Sequence, residues 1–160
     1  MKQSLLLLLI ALSSCNISNR SYSDAAKWVP SDFEPSKSAL LVEHYPGKDK
    51  WNTSMKNFLD KKYPGKYEIV NKEDILAING KYSDTKVYKY AVLWGTIGGT
   101  SYTSFSGGGS TTNFSSPKID YSGHFLDRAT GKEYPVTKKY NNYGWQGFVP
   151  FFNSVIKHSK

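Results

Sequence analysis

Only one cysteine, Cys15, occurs in 160 residues, so no intramolecular disulfide can form. Arginine is almost as scarce: Arg20 and Arg128 stand against nineteen lysines. Arginine supplies the fork that grips phosphates and guanine edges, so the usual equipment for nucleic-acid recognition is missing. No apolar run is longer than the eight residues Leu5–Leu12, whereas a membrane-spanning helix needs about 20. The three histidines, His44, His124 and His158, show no H-x-x-x-H spacing for a metal. His44 beside Glu43 is the only mildly suggestive one. A nucleophile turn of the G-x-S-x-G type lacks its second glycine at Gly99-Thr-Ser101-Tyr-Thr103. The glycines at 98–99 and 107–109 are followed by no Gly-Lys, so they form no phosphate loop. Neither catalytic residues nor a cofactor are expected.

What is present begins with an address. The N-terminus reads MKQSLLLLLIALSSC: Lys2, an apolar stretch, small residues, then cysteine. That is the pattern of a secretory signal peptide over residues 1–14. Leu12-Ser13-Ser14-Cys15 resembles a bacterial lipobox. The resemblance implies cleavage before Cys15 and a diacylglyceryl group on its sulfur, hence attachment to a membrane. Asn16, where some lipoproteins have Asp, points by the same resemblance to the outer membrane, facing the periplasm or the cell surface. Residues 15–27 are polar, without an apolar period, and read as a flexible tether. Residues 28–160 then form one domain.

The formal charge is +8. The lysines are scattered, with Lys61-Lys62 and Lys138-Lys139 the adjacent pairs. This pattern fits a solvated surface attracted to anionic envelope polymers or head groups, an attraction that salt screens.

The element pattern is α+β. Ser38–Tyr45 reads as a buried strand closed by Pro46-Gly47. Asn52 starts a helix to Lys62, with Trp51, Met55, Phe58 and Leu59 on one face. The tetrapeptide Tyr-Pro-Gly-Lys occurs at 45–48 and again at 63–66, and both copies suit a type II turn. Tyr67–Val70 is a second strand and Lys72–Ile78 a short helix. Val87–Ile97 is the strongest strand and reads as central. Lys118–Leu126 alternates as a strand. Asp127–Lys132 turns, and Glu133–Val136 pairs back at an edge because of Pro135. Phe148, Phe152, Val155 and Ile156 share a face of a final helix. The expectation is a mixed or mostly antiparallel sheet of four to six strands, two main helices and one short helix.

This order resembles the periplasmic domains of the TolB amino-terminal, CsgG-like and penicillin-binding-protein-activator lipoprotein group. Val70–Ile75 matches their step from a strand ending in valine through acidic residues into a short helix. Asp127–Lys132 matches a D-x-x-T-G-K turn. The resemblance implies a non-enzymatic envelope domain that docks other proteins, with no catalytic residues to carry over.

One stretch remains. Residues Gly95–Pro117 read GTIGGTSYTSFSGGGSTTNFSSP, with seventeen of twenty-three Gly, Ser or Thr. Both arms carry threonine and an aromatic around three glycines, which reads as a β-hairpin projecting between core strands. Residues 90–117 have no charge, so the hairpin's edges are poorly protected against another strand. Tyr102, Phe105 and Phe114 are its candidate partner-binding residues, and removing Thr100–Ser115 is expected to spare the fold. Tyr140, Tyr143 and Trp145, beside Lys138-Lys139, form a second candidate surface or pack under the final helix. The expected function is that of a lipid-anchored protein-binding or assembly module with an envelope protein as partner. The alternatives are a lipoprotein binding peptidoglycan or another anionic glycan, and an immunity-type inhibitor of a secreted toxin.

Overall fold

The structure is a computed structural model describing residues 21–107, 110–136 and 147–159, with side chains outside 95–122. The fold is α+β. Among the described residues, five strands form one mixed sheet in the order β2-β1-β3-β4-β5: β1 Leu40–Glu43, β2 Tyr67–Val70, β3 Tyr90–Gly107, β4 Ser110–Asp127 and β5 Lys132–Pro135. β1 lies parallel to both β2 and β3. β4 and β5 add antiparallel hairpin arms. β3 is the middle strand, as its apolar run predicted. β5 closes an edge and ends on Pro135, which has no amide hydrogen to offer a further strand.

Among the described residues, three α-helices accompany the sheet: α1 Asp49–Lys62, α2 Lys72–Leu76 and α3 Phe148–His158. One sheet face carries Leu40, Val42, Tyr90, Val92, Trp94 and Phe125 against α1 and α3. The other carries Leu41, Ala91, Leu93 and Leu126 against Val70 and Ile75. Alternation in β1 and β3 sends successive side chains to opposite faces, and both faces are covered. That is why Leu40-Leu41-Val42 is continuously apolar.

Three expectations fail here, each for a physical reason. The tether was expected to run to residue 27, yet packing reaches back to Tyr22. Tyr22 and Ala25 are buried, and Ala25–Lys27 form a 3-10 turn. The Tyr22 N–H donates to Ser154 Oγ on α3 at 2.5 Å. Trp28 stacks on Phe151 at 5.0 Å and 15°. Polar letters hid a strap whose few aromatics are long-range core contacts. Asn52 was expected to cap α1, but the helix begins three residues earlier. Asn52 is instead buried in the first turn and holds Tyr45 by both backbone groups. Its Oδ1 accepts the Tyr45 N–H at 2.9 Å, and its Nδ2 donates to the Tyr45 carbonyl at 2.8 Å. The short helix also ends earlier than expected, at Leu76.

Candidate functional site

β3 and β4 pair over eighteen register positions, from Tyr90↔Asp127 to Gly107↔Ser110. Their neighbours stop early. β1 pairs with β3 only at Ala91 and Val92, and β5 pairs with β4 only from His124 to Asp127. The thirteen pairs from Gly95↔Ser122 to Gly107↔Ser110 therefore have no third strand among the described residues. At about 3.3 Å per residue this is roughly 40 Å of two-stranded ribbon. Among the described residues, no strand takes up the backbone donors and acceptors along its outer edges. Charge is confined to Lys118 and Asp120, near its base. The glycines and hydroxyl residues that suggested a hairpin thus form one far longer than a loop.

The candidate residues on the ribbon take defined register positions. Tyr102 pairs with Ser115, Phe105 with Thr112 and Phe114 with Thr103. They lie in its outer half, away from the sheet. Cys15, Tyr140, Tyr143 and Trp145 lie outside the described residues.

The base of the ribbon is built from residues whose letters gave little warning. Glu43, at the end of β1, is only 6% exposed. Its Oε2 accepts the Trp94 N–H at 2.6 Å, and its carbonyl accepts the Trp94 indole N–H at 3.0 Å. The β1–β3 pairing ends just before this point, at Val42↔Val92, while the next amide, His44 N–H, still donates to the Val70 carbonyl of β2. The carboxylate takes the place of the strand carbonyl that Trp94 would otherwise need. Trp94 pairs with Gly123, and a Cβ on Gly123 would sit 2.7 Å from the Trp94 ring and 2.8 Å from that of Phe151. The indole fills the space that glycine leaves. It meets Trp51 at 4.9 Å and 88° and Phe151 at 5.4 Å. The ribbon is thus fastened to both long helices at the point where it leaves the sheet.

Titratable groups gather on the same edge. Burial raises the Glu43 carboxyl above its ordinary range, against the pull of the Trp94 N–H and Lys72. Burial also lowers the His124 imidazole, opposed by Glu133 and assisted by Lys72. Among the described residues no three such groups converge to hold a metal ion. A cavity of about 580 Å³ lies between α1 and β2, but its polar groups satisfy one another. Lys56 pairs with Asp60 at 2.7 Å, and the Tyr67 hydroxyl donates to the same carboxylate at 2.5 Å. Asn52 Nδ2 lies 3.0 Å from His44 Nε2, which places His44 in a structural hydrogen bond. Among the described residues, no helix is long and apolar enough to cross a membrane.

No family model, curated protein or solved structure matches this chain. Its reading rests on the chain's own geometry.

Glu43 provides a test of its contact with Trp94. A carboxyl whose folded-state pKa is raised binds its proton more tightly when folded. Wild-type stability should therefore fall as pH rises through that raised value. Glu43→Gln keeps an acceptor for Trp94 and cannot ionise. Relative to wild type it should gain stability as pH rises above the ordinary glutamate range, read from urea unfolding midpoints across a pH series. Parallel pH profiles for the two proteins would rule out a strained buried carboxylate.

Proposed function

We propose that this chain is a non-enzymatic, lipid-anchored protein of the bacterial envelope that docks another envelope protein by strand addition to its β3–β4 ribbon. One observation carries the reading: among the described residues, thirteen consecutive register pairs have no strand on either edge and little charge to repel one. A two-stranded ribbon is marginally stable alone, so added strands stabilise it as they bind. The anchor at Cys15 is supported by the apolar run and lipobox-like residues before it, and the resemblance to envelope docking domains agrees with this role.

The register supplies a clean variant. Replacing residues 100–117 by Asn-Gly joins Gly99 to its partner Lys118 through a two-residue turn. The shortened protein should unfold within a few degrees of wild type, about the effect of 1 kcal/mol. Photo-crosslinkers at Tyr102 and Phe114 in the native envelope should give one discrete adduct, whereas one at Lys61 on α1 should not. Fatty-acid labelling should mark the wild type and spare Cys15→Ser. Equal adducts at all three sites would sink the docking role; labelling of both proteins would sink the anchor.

A further inference from the structure

The opposite end of the sheet carries a separate feature. Three segments converge where the parallel strands begin: 35–39, 64–66 and 86–87. Backbone hydrogen bonds hold them in place. The Leu40 N–H donates to the Lys66 carbonyl at 2.9 Å and the Ala39 N–H to the Val87 carbonyl at 2.9 Å. Gly65 lies so close to the Pro35 carbonyl that no Cβ fits between them. These contacts frame an open cavity of about 540 Å³.

Its lining has two parts. Pro35, Pro64 and Val87 give an apolar floor, and Val87 is 46% exposed there. Lys37, Lys66, Lys86, Ser36 and Ser38 supply hydrogen-bond donors. The acidic groups nearby are already engaged. Glu34 pairs with Lys37 at 2.8 Å, and Asp84 Oδ1 accepts the Lys86 backbone N–H at 2.9 Å. Lys66 and Lys86 have no carboxylate partner among the described residues. The Ser36 and Ser38 hydroxyls likewise have no hydrogen-bond partner there.

We propose that this cavity binds an organic phosphate, its oxyanion held by Lys66, Lys86 and the two serine hydroxyls and its body resting on the apolar floor. A tetrahedral oxyanion uses several converging donors at once. Lysine contributes as a point charge where arginine's fork is absent. The cavity exceeds the size of a phosphate alone, leaving room for the carbon skeleton that bears it. The source is either a soluble phosphate ester or a phospholipid head group. The site is independent of the ribbon, which leaves from the other end of the same strands.

The test uses the full chain carrying Cys15→Ser, with glycerol 3-phosphate as probe and amide NMR as readout. Saturable shifts should be confined to residues 35–39, 64–66 and 86–87. Lys66→Gln/Lys86→Gln should weaken binding at least about tenfold, while Lys61→Gln/Lys62→Gln should bind as wild type. Vesicles of phosphatidylglycerol then separate the sources. Vesicle binding that the double variant loses and glycerol 3-phosphate displaces assigns a head group. Probe binding without vesicle association assigns a soluble ester. Shifts that do not saturate, shifts dispersed over the surface, or equal losses in the two lysine pairs would overturn the site.

Discussion

Trp94→Ala is expected to cost about 3–5 kcal/mol, the range for removing a large buried aromatic. For a chain of this length that lowers Tm by about 10 °C. Trp94 is 6% exposed and touches Trp51, Phe151 and Phe152 at 4.9, 5.4 and 6.0 Å between ring centroids. It joins β3 to α1 and α3 at once. Truncation empties the space over Gly123, which has no side chain to refill it, and leaves the buried Glu43 carbonyl without its indole donor. Trp94→Phe separates the two effects. It retains most of the ring packing and loses the donor, so about 1–2 kcal/mol is expected. Thermal and urea unfolding check both variants. Hydrogen exchange at the ribbon base adds a local readout, with faster exchange expected at Val92–Trp94 than at β2. Equal costs for the two substitutions would show that the hydrogen bond, not packing, holds the joint.

Gly65→Ala is expected to be nearly as damaging, at about 3 kcal/mol, towards the upper end for overpacking. The new Cβ would collide with the Pro35 carbonyl oxygen and lie 2.8 Å from both the Pro35 carbonyl carbon and Cβ. These atoms belong to a constrained segment flanked by the buried Phe33 and Leu40, so they cannot simply swing away. Gly47→Ala makes the comparison. Gly47 has φ +68° with nothing within 4 Å of an added Cβ. Only backbone strain opposes alanine there, about 1–2 kcal/mol. A chemical denaturation series on the two variants should therefore rank Gly65→Ala well above Gly47→Ala. The reverse order would mean that the segment around Pro35 yields readily.

These two glycines show how far letters reach. Both sit in Tyr-Pro-Gly-Lys, and both copies read as type II turns, but only Gly47 takes the positive φ that such a turn needs, so the expectation fails at Gly65. Local chemistry explains the first, where Gly47 adopts the left-handed conformation of a turn. It does not explain the second, where glycine is required by a chain segment thirty residues away. The ribbon shows the same division. Absence of charge over residues 90–117, threonines in both arms and the glycines between them made a hairpin readable. Its eighteen register pairs, and the early stop of β1 and β5 beside it, depend on which strands lie alongside. Glu43 was the hardest residue to read. A single carboxylate after Leu-Leu-Val looks like the polar end of a strand, and only the arrival of Trp94 turns it into a buried acceptor.

By itself, then, the sequence determined the element types, because hydrophobic period and turn chemistry act over a few residues. It set the α+β class and the central place of β3, and it set the unguarded character of the hairpin. Tertiary structure alone decided which residues are anchors. Tyr22, Asn52, Glu43, Trp94 and Gly65 owe their roles to partners between seven and 132 positions distant. Those partners meet only once the sheet has formed, since burial and close approach belong to the assembled layers and not to any local stretch of chain.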